Sequence, residues 1–298
     1  MADMPVCPAC RATKTTDLFR AKDHLASGRE FLIRKCTECG MGWTADPPPE
    51  EEAGGYYASA GYISHTDSKQ SLADRLYHIA RAFMLKRKGK LVDSAVGKNE
   101  GIIIDIGSGT GYFAAFMHRR GWQVTGVEIS DQARNYSVER FGISAIGPQQ
   151  VKDIPSAYAD CITFWHVLEH LYDPADWLGE ARRILKDEGR CIVALPNFAS
   201  ADAEWFGERW AALDVPRHLW HFTPDSFRRF AEKEGFACDR ISALPLDLFY
   251  ISSLSYRNTG NRLPLARGVL TGFVIALRSL SRRESASSLV YVLSKKNS

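Results

Sequence analysis

The 298 residues carry 45% hydrophobic, 24% charged and 11% aromatic side chains, the usage of an ordinary globular chain, which excludes collagenous, low-complexity and disordered classes. Thirty-eight Lys and Arg against thirty-five Asp and Glu leave a net +3, too little to mark the whole chain as a polyanion binder. The excess is local: residues 1–53 and 54–247 each sum to −2, whereas residues 248–298 hold eight basic and one acidic side chain. No basic segment followed by an apolar run opens the chain. The longest apolar stretch, 268–277, is about half of the roughly 20 residues a membrane span needs. Seven cysteines, an odd number, point to a reducing compartment. The expected location is the cytoplasm, with the basic tail as the one segment suited to peripheral contact with the inner membrane face.

The first element in chain order is a pair of knuckles, Cys7-Pro-Ala-Cys10 and Cys36-Thr-Glu-Cys39-Gly40. Two C-x-x-C pairs let four thiolates close a tetrahedron around Zn²⁺. The 25 residues between Cys10 and Cys36 exceed the usual spacer, so a long finger loop is expected, with Phe31-Leu32-Ile33 as a strand leading into the second knuckle. Four protein ligands leave no open position, so this metal is structural and folds a segment with little core of its own. Cys161, Cys191 and Cys238 lie in apolar runs, where cysteine acts as a small hydrophobe.

Asp46-Pro47-Pro48-Pro49-Glu50-Glu51-Glu52 is stiff and charged and reads as a break in helix and sheet. It sets the expected domains: a ribbon over 1–46, a linker over 47–67 and the main domain over 68–298. Leu72, Leu76, Ile79 and Phe83 recur at helical spacing in a segment ending near Val96. Strand-like runs at 102–106, 122–127, 161–165 and 191–195 then alternate with helical stretches at 110–120, 131–141 and 175–187, and a weaker strand falls at 143–146. That is a βαβ pattern, an α/β fold with a parallel sheet. Thr223-Pro224-Asp225 starts another helix, and strands are expected at 236–242 and 289–293.

Asp105-Ile106-Gly107-Ser108-Gly109-Thr110-Gly111 joins the first of these strands to its helix. A dinucleotide fingerprint needs glycine at 112, and the residue is Tyr112. Asp105 would also repel a pyrophosphate at this helix N-terminus, whereas it suits a cation. Glu128 ends the second strand, where an acid accepts from ribose hydroxyls.

With this loop and Glu128, followed by Phe164-Trp165-His166-Val167-Leu168-Glu169-His170 and then Leu195-Pro196-Asn197, the chain resembles the class I S-adenosylmethionine-dependent methyltransferases. The resemblance implies a Rossmann-like sheet and S-adenosylmethionine as cofactor. It places Asp105, Gly107, Ser108, Gly109 and Gly111 under the methionine part, Glu128 with Ile129 at the ribose, and His166 on the methyl-transfer cleft. Relatives often put an acid in the adenine pocket; here the matching stretch 147–150 has none, and Gln149 is the expected substitute. The ribbon followed by Tyr56-Tyr57 and Gly61-Tyr62 also resembles a subgroup associated with sugar and cell-surface polysaccharide synthesis.

His166-x-x-Glu169-His170 matches an inverted zinc-protease string, but it sits at a strand end with no third ligand evident, so the protease reading is set aside. In the aromatic connection Asp214-Val215-Pro216-Arg217-His218-Leu219-Trp220-His221, a loop of the kind that binds substrate, His218 is the expected base, with Arg217 beside it as an anchor for an anionic acceptor. His166 is the second catalytic candidate. The expected reaction is methyl transfer to an oxygen or carbon of a small-molecule acceptor, a sugar or lipid-linked saccharide. Two rivals are a zinc-ribbon ribosomal-RNA methyltransferase, which the acidic ribbon disfavours along with any nucleic-acid partner, and a non-catalytic S-adenosylmethionine-binding adaptor. Residues 245–285 form an insertion with six arginines (257, 262, 267, 278, 282 and 283) and no acid between Asp247 and Glu284. It is expected to meet a membrane through 262–283, to pack on its own domain, or to form a homodimer contact.

Overall fold

The computed structural model describes residues 6–57, 72–244, 246–279 and 283–296. Three strands open the chain, β1 (Thr15–Lys22), β2 (Glu30–Cys36) and β3 (Gly42–Thr44), paired antiparallel in that order. Helix α1 (Glu50–Tyr57) follows and corrects the reading of 46–52 as a stretch without helix. Its first turn holds three glutamates, where negative charge meets the free N–H groups of a helix start. Residues 58–67 of the expected linker, Gly61 and Tyr62 among them, lie outside the described residues.

Helix α2 (Leu72–Val96) leads into β4 (Gly101–Ile106). The helical period is as expected, but its buried stripe is a different one. Ile79 and Phe83 are exposed, while Met84, Leu85, Leu91, Val92 and Ala95 pack on the sheet. Then come α3 (Tyr112–His118), β5 (Trp122–Val127), α4 (Asp131–Phe141), β6 (Ser144–Ile146), β7 (Ala159–Trp165), α5 (Pro174–Ile184) and β8 (Leu185–Pro196). Ile103 and Ile104 are both buried although they point to opposite faces of β4, as a parallel sheet covered on both sides requires. Ser130 caps α4 and Asp173 caps α5, each side chain accepting from a backbone N–H three residues on. The expected helix at 175–187 ends at Ile184, because Leu185 is already extended and opens β8.

The chain continues through α6 (Ala201–Phe206), β9 (Trp220–His221), α7 (Pro224–Lys233), β10 (Phe236–Ala243), α8 (Asp247–Asn258), α9 (Pro264–Ser279) and β11 (Ser288–Lys295). Strand β11 lies antiparallel between β8 and β10, completing a seven-stranded sheet in the order β10-β11-β8-β7-β4-β5-β6. This is the Rossmann-like α/β fold the sequence led us to expect. The order reverses between β4 and β7: the chain runs from β4 outward to β6, then returns to the other side of β4. In open α/β sheets that reversal opens a crevice at the carboxyl ends of the strands, where ligands bind.

Strand β9 pairs with β3, Gly42 opposite His221 and Trp43 opposite Trp220, so the ribbon's sheet runs β1-β2-β3-β9 and takes its last strand from the main domain. One core joins them, with Cys36, Met41 and Trp43 packing with Leu219, Phe222, Phe227 and Phe230. The boundary at residue 46 divides the sequence, not the packing.

Candidate active site

Gly107 follows β4 with φ 68°, and a Cβ there would lie 2.3 Å from Val167 Cγ2, so the loop passes the segment after β7 only because this residue is glycine. Gly109 has φ 54°, and its missing side chain would point into open space. The open side of the loop therefore presents bare backbone. Ser108 Oγ is buried without a hydrogen-bond partner. Gly111 stands at the N-cap of α3. From the end of β5, Glu128 reaches across: Oε2 accepts from Gly109 N–H at 2.8 Å and Oε1 from Ser130 N–H at 2.9 Å. A carboxylate has about four acceptor sites, so lone pairs remain for ribose hydroxyls. Ile129 beside it is 78% exposed, an apolar surface facing solvent next to the acid. Gln149, exposed after β6, has its Oε1 beside Gly147.

Asp105 is enclosed and accepts a 2.6 Å hydrogen bond from Thr163 Oγ1. Burial lifts its pKa to about 7, against the opposing pull of Thr163 and of the Lys88 charge. Lys88, from α2, holds its ammonium 4.3 Å over the Trp165 ring. Burial lowers its pKa, opposed by the charges of Asp105 and Asp247. Among several lysines in α2 no spacing singles Lys88 out, so the sequence did not reveal it. A buried carboxylate, an acid at the end of β5 and open backbone between them fit a cationic nucleoside such as S-adenosylmethionine.

Across the crevice His166 follows β7 with φ 58°. Its Nδ1 is 3.3 Å from Glu169 Oε1, its Nε2 is 3.3 Å from Asp247 Oδ2, and the ring is about one-third exposed. Burial alone would lower its pKa, but hydrogen bonds and charge from Asp247 and Glu169 outweigh it and hold the imidazole at about 9. Asp247 comes from the first residue of α8, inside the insertion; its sequence signal is only that it is the last acid before a long acid-free stretch. Glu169 is buried, and behind it the rings of His170 and His218 meet edge to face, 4.5 Å between centroids. One ligand-type atom from each of these three residues lies within 4.8 Å of the others. Burial lowers the His170 pKa to about 4, and its Nδ1 meets Tyr57 Oη and the Arg217 carbonyl.

The loop 214–222 does something other than expected. His218 is 8% exposed, its Nδ1 meets the Ala212 carbonyl at 2.9 Å, and its other contacts are His170 and Asp214. His221 lies inside the ribbon contact beside Thr44 Oγ1, and burial pushes its pKa down to about 3. Arg217 donates to Asp23, to Asp214 and to the Tyr56 carbonyl, and it is 3% exposed. An anion anchor needs a guanidinium that reaches the cleft, and this one is consumed inside the protein. The loop is the strip on which the ribbon docks.

At the ribbon's tip Cys7 Sγ and Cys39 Sγ are 3.5 Å apart, Cys10 Sγ and Cys36 Sγ 3.6 Å, and all four lie within 4.8 Å of one another. Sulfurs on a tetrahedral Zn²⁺ with bonds of about 2.3 Å stand about 3.8 Å apart, so the donor set and its spacing fit this ion.

Residues 77–241, more than half of the chain, match the methyltransferase domain family. The chain is 28% identical over 208 residues to a ubiquinone biosynthesis O-methyltransferase of Sodalis glossinidius (strain morsitans), covering 66% of this chain and 77% of that one. It is 32% identical over 108 residues to a ubiquinone/menaquinone biosynthesis C-methyltransferase of Desulfotalea psychrophila, covering 34% of this chain and only 44% of the relative. In fold it is similar to the geranyl diphosphate C-methyltransferase of Streptomyces coelicolor A3(2) (TM-score 0.52, 14% identity, 78% of this chain and 89% of that one). It is also similar to a SAM-dependent methyltransferase of Archaeoglobus fulgidus (TM-score 0.50, 18% identity, 72% and 94%). The chain belongs to the methyltransferase domain family and is a class I S-adenosylmethionine-dependent methyltransferase.

Proposed function

We propose that this methyltransferase acts on a hydroxyl of a small lipid-linked acceptor, a saccharide or ring, with His166 as the base. The observation that carries this is His166 itself, set at the end of β7 beside the glycine loop, with Glu169 on Nδ1 and Asp247 on Nε2. S-adenosylmethionine supplies a methyl group on a sulfonium, already a good leaving group. Asp105 and Glu128 hold and orient it, so most of the rate comes from alignment. In the neutral imidazole the proton stays on Nδ1, on the side of buried Glu169, and Nε2, which lies 3.3 Å from Asp247 Oδ2, takes the hydroxyl proton as the acceptor hydroxyl enters beside that carboxylate. Relatives named O-methyltransferases support oxygen as the nucleophile, and the likeness of Tyr56-Tyr57 after the ribbon to the polysaccharide-associated subgroup supports a saccharide. The cysteine cluster holds a structural Zn²⁺.

The test is incubation of the purified chain with methyl-labelled S-adenosylmethionine and separate lipid, aqueous small-molecule and RNA fractions of a cell extract. The expected product is a base-stable methyl ether in the lipid fraction, lost with His166→Gln. Label in RNA would install the ribosomal-RNA reading instead, and cofactor binding without label in any fraction would install the adaptor.

A further inference from the structure

We infer that helix α9 lays its outer face on an anionic lipid bilayer. Its inner face is fixed by close packing on α8: a Cβ at Gly268 would come within 2.3 Å of Ser253 Oγ, one at Gly272 within 2.6 Å of the Phe249 ring, and Tyr256 Oη meets Thr271 Oγ1 at 2.9 Å. That packing turns Leu265, Val269, Leu270, Phe273 and Leu277 outward, four of them more than half exposed. On a 16-residue helix, roughly 24 Å long, this is a continuous apolar stripe rather than scattered surface residues.

The charge around the stripe says what covers it. Arg257, Arg262 and Arg267 are exposed at the turn that joins the two helices and in the first turn of α9, and no acid occurs between Asp247 and Glu284. In a two-fold contact with a second copy this rim would face itself, arginine against arginine. A layer of anionic headgroups over acyl chains satisfies both the stripe and the rim. No helix of the described residues is long and apolar enough to cross a membrane, so α9 lies in the interface. Helix α8 also carries Asp247, the partner of His166, so docking through the helix pair holds the cleft at the bilayer. This deepens the lipid-linked acceptor reading and rests on it for its purpose, while the binding itself is measured without turnover.

The experiment is flotation of the full chain with phosphatidylcholine vesicles, with and without phosphatidylglycerol, at low and high salt. Flotation is expected only with phosphatidylglycerol and is weakened by salt. Arg262→Gln with Arg267→Gln should reduce partitioning about thirtyfold, at about fivefold per arginine. Leu265→Ser with Leu270→Ser should abolish it, and because these two side chains are about two-thirds exposed, the thermal melt of either variant should match the parent. Absence of flotation with both vesicle types overturns the inference, as does equal flotation on phosphatidylcholine alone. A dimer in light scattering that the serine pair dissolves, without flotation, would give the face to a second copy. Flotation without a lipid-phase methyl product leaves this surface standing and removes only the acceptor reading.

Discussion

The guanidinium of Arg217 lies 3.0 Å from the carboxylate of Asp23, and both side chains are fully enclosed. Asp23 also takes the backbone N–H groups of Leu25, Ala26 and Ser27, so the pair ties the ribbon's finger loop to the strip that follows β7 and β8 in the main domain. Breaking a buried pair by removing one partner leaves an uncompensated charge, so Arg217→Met should cost about 3–5 kcal/mol in denaturant unfolding. A substrate anchor would instead raise the acceptor KM at unchanged stability. Burial pushes the Asp23 pKa up, but hydrogen bonds from Ser27, Leu25 and Arg217 outweigh it and hold it at about 2. A folded-state value below the usual 3.8 means that this stabilisation is present above about pH 4 and is lost as pH falls towards 2.

Because the ribbon and main domain share one core, zinc should matter to the whole chain. Protein purified without chelator should carry one Zn²⁺ per chain, and Cys36→Ser should remove it. The expected melt of that variant is a single transition at lower temperature, since Cys36 packs in the same cluster as Phe222 and Phe230. A two-step melt with an unchanged main transition would show that the ribbon folds by itself, and full zinc content in the variant would dismiss the four-cysteine site.

How much of this was legible in the sequence depends on whether a residue's partner is near it in the chain. Asp105, the glycines and Glu128 could be placed because strand, turn and helix follow one another locally, and the observed β5 and α4 begin and end where the apolar runs predict. Thr223 caps its helix as its neighbours Pro224 and Asp225 suggest. The roles of Arg217 and His221 were misread because their partners, Asp23 and Thr44, belong to the ribbon and are brought in by the β3–β9 pairing, which no local pattern announces, and that of His218 because its ring is enclosed against His170 from the segment after β7. Lys88 and Asp247 went unnoticed for the same reason: each reaches the crevice from an element outside the alternating βα unit.

Asp105 gives cofactor binding a pH dependence. With its pKa raised to about 7 by burial, the carboxyl is neutral below that pH and offers a cation nothing. Affinity for S-adenosylmethionine in calorimetry should therefore rise with pH up to about 7, by as much as tenfold per unit, and level off above it. Asp105→Asn should bind weakly with a flat profile. A parent profile without slope between pH 6 and 8 would move the cation's partner elsewhere.

His166 gives turnover a different profile. Held at about 9 between Asp247 and Glu169, it is mostly imidazolium at neutral pH, and only the neutral form accepts a proton. With cofactor saturating, kcat/KM for the acceptor should climb with pH and reach a plateau near 9. Asp247→Asn removes one of the two carboxylates that raise the value, so the rise should shift to lower pH. His166→Gln should cost about 10²–10⁴ in rate, the usual worth of a positioned base, with S-adenosylmethionine affinity unchanged. If Asp247 were itself the base, its lowered pKa would make the profile flat across this range. The position of the rise and its movement in Asp247→Asn therefore distinguish the imidazole from the carboxylate beside it.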